Sequence, residues 1–236
     1  MKVILLTLSL IGLGIISYAQ KSEQSFDFAL AAKNSIFAPS LSFEKNYGLG
    51  SKNFFSIGWG VRANAVFGST GNYITAPALL TSGKRSLAAF FTEYKNDKLD
   101  TLDLKKTRIL ALNSKIVLQY RFKKSDFGFN IDVFGVTFGG SQSGFFRASD
   151  SKSLNNTNQT AKPSPFNLLL ISDSDRGSLN SELYYRYWIK KNVALRLGLS
   201  FQFVEYRTNK ILTYENDRYR IKPLMPLIAF SFNPFK

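Results

Sequence analysis

The side chains of this chain that could carry chemistry are carboxylates, guanidiniums, ammoniums and hydroxyls, because histidine and cysteine are both absent. Their absence removes the commonest general base and metal ligand, and with them thiolate sites and disulfides. A carboxylate-only mechanism would draw on Asp97, Asp100 and Asp103, which fall together in one polar stretch. Loop acids are ordinarily solvated, so the chain is expected not to be an enzyme, and no cofactor is implied. Asp150, Asp173 and Asp175 read the same way, as loop acids rather than a calcium site. A different chemistry is suggested by charges embedded in alternating segments: Glu44, Lys115, Arg121, Asp132, Glu182, Arg186 and Arg196. Charges of both signs enclosed in a narrow interior must pair. They are expected to form a salt-bridged network, the sharper alternative being a narrow or gated ion path that favours anions.

The elements that must position these charges are β-strands. From Leu179 to Ile189, Leu183, Tyr185, Tyr187 and Ile189 share a face with Leu179, while Asn180, Glu182 and Arg186 share the other. A short turn at Lys190-Lys191-Asn192 leads to a second arm, with Val193, Leu195, Leu197, Leu199, Phe201 and Phe203 opposite Arg196, Gly198, Ser200 and Gln202. Successive strand side chains point to opposite faces, so this is a hairpin with one apolar and one polar face. Its arms match the roughly nine to eleven residues that a strand needs to cross a membrane.

The same alternation recurs along the chain. Phe26, Phe28 and Leu30 mark one arm, and Phe37, Leu41 and Phe43, opposite Ser40, Ser42 and Glu44, mark the next. Phe55, Ile57, Trp59, Val61 and Phe67 define a third, with Gly58, Gly60, Arg62 and Asn64 facing the other way. Leu104 to Lys123, with Leu110, Leu112, Ile116, Leu118, Tyr120 and Phe122 on one face, and Phe127 to Phe138 continue the series, with a phase slip after Val133 that fits a β-bulge. A last strand is expected from Arg218 to Asn233. Residues 69–104 and 139–177 break the pattern and are predicted to be long loops. Eight strands result if residues 25–46 hold two, joined at Lys33-Asn34. Short and long connections then alternate, as in bacterial outer-membrane barrels. Aromatics beside the short turns (Tyr47, Phe54, Phe55, Tyr120, Phe122, Phe127, Tyr187, Trp188) and at the other end (Phe67, Phe138, Phe203, Tyr206, Tyr214, Tyr219) suggest two interfacial girdles. The predicted fold is all-β: an eight-stranded antiparallel up-and-down transmembrane barrel with a side-chain-filled interior.

The ends and the bulk composition agree with export. Lys2, the weakly polar-to-apolar run from Val3 to Ile16, and small residues before Gln20 make a secretory signal peptide, with cleavage between Ala19 and Gln20. Residues 1–19 are then the signal and 20–236 a single barrel domain. The net charge is +15, but the basic residues are scattered through strands and turns, so nucleic acid is not an expected partner. Anionic membrane surfaces are a better match.

The Pro39-Ser40-Leu41-Ser42-Phe43-Glu44 segment, the Phe55-Ser56-Ile57-Gly58-Trp59-Gly60 strand and the terminal Ile228-Ala229-Phe230-Ser231-Phe232 resemble the small outer-membrane β-barrel family common in Bacteroidota, of OmpA/OmpX-like architecture. The last strand resembles the insertion signal read by the outer-membrane assembly machinery, departing from it in ending Phe235-Lys236. The family has no shared activity, and enzymes built on comparable barrels use a histidine that this chain lacks. Asp100-Thr101-Leu102 resembles a short O-glycosylation pattern of that phylum, which makes Thr101 a candidate acceptor. Lys84-Arg85 and Arg147 could meet lipopolysaccharide phosphates. The resemblance implies a non-enzymatic structural or scaffold protein of the outer membrane, contacting its lipids and lipopolysaccharide, or an accessory subunit of an envelope complex. Two alternatives compete: a narrow, porin-like channel for ions or small solutes, and a soluble periplasmic lipid-binding barrel whose apolar face lines a cavity.

Overall fold

The protein is described from a computed structural model, which covers residues 22–69, 71–83, 96–150, 154–170 and 175–235. The signal region with Ala19 and Gln20, and also Lys84, Arg85 and Asp173, lie outside the described residues. In chain order the first half comprises β1 Ser22–Lys33, β2 Ile36–Leu49, β3 Phe55–Gly68, β4 Gly71–Thr75, a one-turn helix α1 Ala78–Thr81, β5 Thr101–Leu104 and β6 Thr107–Phe122. It continues with β7 Ser125–Phe138, β8 Gln142–Arg147, β9 Thr157–Pro163, β10 Phe166–Leu168, β11 Asn180–Trp188 and β12 Val193–Gln202. The last strands are β13 Val204–Thr208, β14 Arg218–Ile221 and β15 Leu224–Phe232.

Strands β1, β2, β3, β6, β7, β11, β12 and β15 close into an eight-stranded antiparallel up-and-down barrel, the last pairing with the first through Phe26↔Phe232 to Ala31↔Leu227. Residues 25–46 do hold two strands, joined by a tight turn in which Asn34 adopts φ 51°. The predicted phase slip is a bulge: Ser114 pairs with Phe134 and Lys115 with Asp132, leaving Val133 over. Side chains alternate as expected. Phe28, Leu41, Trp59, Leu112, Phe129, Leu183, Leu197 and Phe230 point outward and are exposed, while Asp27, Glu44, Arg62, Lys115, Glu182 and Arg196 point inward and are buried.

The two predicted long loops are corrected by the structure. Segments inside them form β4, β5, β8 and β9, which join β13 and β14 in a second closed barrel of order β13-β14-β4-β5-β8-β9. This six-stranded collar continues the wall above β3, β6, β7, β12 and β15, while the β1–β2 hairpin stops short. β14 therefore pairs directly with β4, through Tyr219↔Thr75 and Arg220↔Ile74, over the top of that hairpin. In the collar the polarity of the faces reverses. Asn72, Asp103, Arg147, Lys162 and Arg207 point outward, and Tyr73, Leu102, Leu104, Phe146, Val204, Tyr206 and Tyr219 point inward and are buried. Tyr206 and Tyr219 are consequently core residues rather than part of an outer aromatic girdle, and Tyr214 lies in the loop above them, donating to Asp150 Oδ2 at 3.0 Å. Trp188 is likewise buried inside the lower mouth instead of facing out.

Candidate functional site: a charge lattice beneath an apolar layer

The inward face of the eight-stranded barrel carries one continuous ionic chain. Asp132 on β7 meets Arg62 on β3 at 3.1 Å, and Arg62 also reaches Glu182 on β11 at 3.1 Å. Glu182 pairs with Arg196 on β12 at 2.8 Å, and Arg196 with Asp27 on β1 at 2.9 Å. Asp27 pairs with Arg186 on β11 at 3.0 Å, Arg186 with Glu44 on β2 at 3.2 Å, and Glu44 with Lys115 on β6 at 2.7 Å. Every strand of the barrel except β15 contributes a charge. Cations and anions alternate along the chain, so no charge is left isolated in a low-dielectric interior.

Neutral groups satisfy several further valences. Asn130 donates to Glu182 at 2.9 Å, Asn113 to Asp132 at 2.8 Å, and Lys115 also to Ser42 Oγ at 2.9 Å. The Tyr184 ring packs between two guanidiniums, with Arg196 4.4 Å and Arg186 5.2 Å from its centroid. Two glycines make room for these side chains. A Cβ at Gly60 would meet the Lys115 stem and the Phe43 carbonyl, and one at Gly128 would overlap the Tyr184 ring.

Of the charges expected to share the lumen, Glu44, Lys115, Asp132, Glu182, Arg186 and Arg196 do converge. Arg121 stands at the edge of the lattice, joined to it through Asp126, which lies 3.9 Å from Arg186. It lies at the mouth beside the short turns, part-exposed, and bridges Glu23 at 2.5 Å and Asp126 at 2.6 Å. Asp126 also accepts from Trp188 Nε1 at 2.8 Å, so these residues tie β6, β7 and β11 together at the mouth. Asp27, Arg62 and Asp126 were not assigned to the network from sequence. Asp27 was marked by parity, since it alternates with Phe26 and Phe28, and Arg62 falls on the polar face of its strand.

Above the lattice the lumen becomes apolar. Ala31, Ala38, Val66, Ile109, Met225 and Leu227 are buried there and merge with the collar core. The Tyr73 and Tyr206 rings meet edge to face at 5.3 Å, as do Phe146 and Tyr219 at 5.9 Å. Tyr73 is hydrogen-bonded to Thr107 Oγ1 at 2.7 Å, and the Tyr206 hydroxyl donates to the Arg108 carbonyl at 3.3 Å. Burial pushes the phenols of Tyr73 and Tyr219 up, so both stay neutral in the collar core.

The described loop acids take part in separate local contacts. Asp100 is buried, accepting from Ser149 N–H at 2.8 Å and from Thr213, while Asp103 pairs with Arg147 on the outer face of the collar. No cluster able to hold a metal occurs among the described residues. Thr101 is half-buried on the outer face of paired β5, between Asp100 and Leu102, both fully buried.

Outside the collar, Glu205 anchors a strap whose described residues are 164–170 and 175–178. Its carboxylate accepts from Ser164 Oγ at 2.6 Å and Gly177 N–H at 3.2 Å, and from Arg218 at 2.8 Å and Arg220 at 2.7 Å. The same arginines donate to the Asp175 carbonyl. Burial alone would raise the Glu205 carboxyl, but Arg220 and Arg218 outweigh it and hold it below the usual glutamate range.

No family model matches the chain, and no curated protein matches it. Among solved structures it is similar to Neisserial surface protein A, at 8% identity, covering 90% of this chain and 95% of that one, with a TM-score of 0.38. It is also similar to a Pseudomonas aeruginosa FadL homologue, at 6% identity over 89% and 75% of the two chains, with a TM-score of 0.24. The Ralstonia pickettii toluene transporter TbuX follows at 8% identity over 92% and 90%, with a TM-score of 0.21.

Proposed function

We propose that the chain is an integral outer-membrane β-barrel with a non-enzymatic structural or scaffold role, in which the barrel is an anchor and the collar is the part presented to partners in the envelope. The observation that carries this reading is the belt of exposed apolar side chains around the eight-stranded wall. Phe28, Leu183, Phe127 and Phe230 expose 60%, 63%, 56% and 59% of their surface, with Trp59, Leu112, Leu197 and Ile228 between them. An apolar surface that encircles the molecule far exceeds the few hundred Å² a soluble monomer leaves in water. Closure supports the same reading, because a barrel leaves no unpaired strand edge to desolvate in lipid. On the collar the outward residues are mostly polar, although Phe145 on β8 is also exposed, which supports a membrane boundary near that height.

The soluble lipid-carrier alternative needs the opposite polarity, with an apolar lumen and a polar wall. Here the lumen of the eight-stranded part is charged and its wall is apolar. The filled interior favours an anchor over a channel. Membrane fractionation followed by gel mobility without and with boiling tests the reading. An outer-membrane pellet with compact migration that slows on boiling is expected. A soluble protein whose mobility ignores heating would overturn it.

A further inference from the structure

The short-turn end of the barrel has a charge distribution that the lattice does not account for. Strands β7 and β11 are paired, with Ser125 opposite Tyr187, so the β6–β7 and β11–β12 turns lie side by side. Each presents a lysine pair, Lys123-Lys124 on one and Lys190-Lys191 on the other, and all of these are exposed. Between the turns is a recess of about 510 Å³ lined by Arg121, Lys123, Lys124, Trp188, Ile189, Lys190 and Lys191. No carboxylate lines it. The nearby acids Glu23 and Asp126 are already engaged by Arg121, which leaves the lysine charge in excess. The two turns are held to each other by backbone, Trp188 N–H donating to the Lys124 carbonyl at 2.8 Å, so the recess has a fixed wall.

Its surroundings indicate what fills it. Phe122 and Ile189 directly precede the two lysine pairs in sequence, and Phe127 and Tyr187 flank them. All of these point outward and are exposed by 54%, 56%, 56% and 45% respectively. One strand residue spans about 3.3 Å, so the ammonium groups lie just beyond the last lipid-facing rings. Long lysine stems keep their charge in the headgroup layer while their carbons cover apolar surface. Lys123 illustrates this, its ammonium 5.3 Å from the Phe122 ring centroid.

We propose that the Lys123-Lys124 and Lys190-Lys191 turns form a binding site for the phosphate headgroup of an anionic phospholipid at the short-turn face of the barrel. The inference rests on the membrane reading above. The paired lysines attract a lipid of net negative charge such as phosphatidylglycerol. They discriminate against phosphatidylcholine, whose own quaternary ammonium they repel.

The test is lipid retention. Folded protein is recovered in detergent from vesicles of equal phosphatidylglycerol and phosphatidylcholine, and the bound lipids are counted by native mass spectrometry. The wild type is expected to retain phosphatidylglycerol preferentially. Each lysine near an anionic surface contributes about fivefold in binding at low salt, so K123Q/K124Q/K190Q/K191Q is expected to lose the preference by at least about tenfold. The matching four-arginine variant keeps it, and so does K105Q/K106Q/K162Q/K210Q, whose lysines are exposed at the other end of the molecule. An unchanged preference in the first variant overturns the site, as does equal retention of both lipids by the wild type or an equal loss in the opposite-end control. Gel mobility on the same samples separates the two readings. A wild type that does not migrate as a closed barrel fails the membrane reading, whereas a closed barrel without lipid preference fails this inference alone.

Discussion

Arg196 shows how much one side chain of the lattice holds. It is fully buried between Asp27 and Glu182, contacts them at 2.9 and 2.8 Å, and covers the Tyr184 ring. Removing one partner of a buried ionic pair leaves an uncompensated charge and costs about 3–5 kcal/mol. Arg196→Met is therefore expected to lower the urea midpoint of the barrel in lipid vesicles by a corresponding amount, while exposed Lys162→Gln leaves it unchanged. A loss below about 1 kcal/mol would mean that Arg186 and Arg62 absorb both carboxylates and the lattice is not interlocked. Which side each charge faces was legible in the sequence, since the alternation of Glu44, Glu182 and Arg196 with apolar neighbours marks the interior directly. Height was not legible. Alternation gives the face of the sheet, whereas the stagger of the strands decides which inward residues share a level. Alternation therefore places Arg121 on the inner face without showing that it stands at the mouth, and it leaves the pairing of Asp27 with Arg186 and Arg196 hidden.

At the scale of elements, the collar is the part that sequence reading lost, and the reason is physical. A strand in lipid shows apolar residues outward, but a strand in water shows them inward. Tyr73 against Asn72, Leu102 against Asp103, and Tyr206 against Arg207 alternate as regularly as anything below them, in the opposite sense. They occur in runs of only four to seven residues, so a template built on long apolar-out strands takes them for loop. The strap outside the collar has its own prediction. The Glu205 carboxyl is depressed in the folded protein by Arg220 and Arg218, so the stability it contributes is complete above the ordinary glutamate value of 4.5 and is lost as pH falls through the lower folded value. Hydrogen exchange at the Gly177 and Arg176 amides is expected to stay constant from neutral pH to about 5, once the intrinsic rate is removed, and then to lose protection. Glu205→Gln is expected to lower protection about tenfold at neutral pH and to flatten its acid dependence. Unchanged protection in that variant would show that the backbone bridge between Leu168 and Arg176 holds the strap without the carboxylate.

Across the whole molecule, the lattice and the apolar layer lie in series along the barrel axis. An ion entering from the short-turn end meets fixed charges that are already paired with one another, then a layer of Ala31, Val66, Ile109 and Met225 topped by crossed aromatic rings. Eight strands enclose an interior just wide enough for side chains, so passage would require displacing one set and desolvating the ion against the other. The protein in planar bilayers is accordingly expected to show no discrete conductance steps at either polarity. The series arrangement makes a stronger claim testable. Y73A/Y206A removes the rings that cross above the lattice, yet it should remain silent, because the lattice below still occupies the lumen. Unitary steps in the wild type would mean a continuous water path and would restore the channel reading. Steps confined to the variant would mean that ions pass the charge lattice and that the aromatic layer alone closes the barrel.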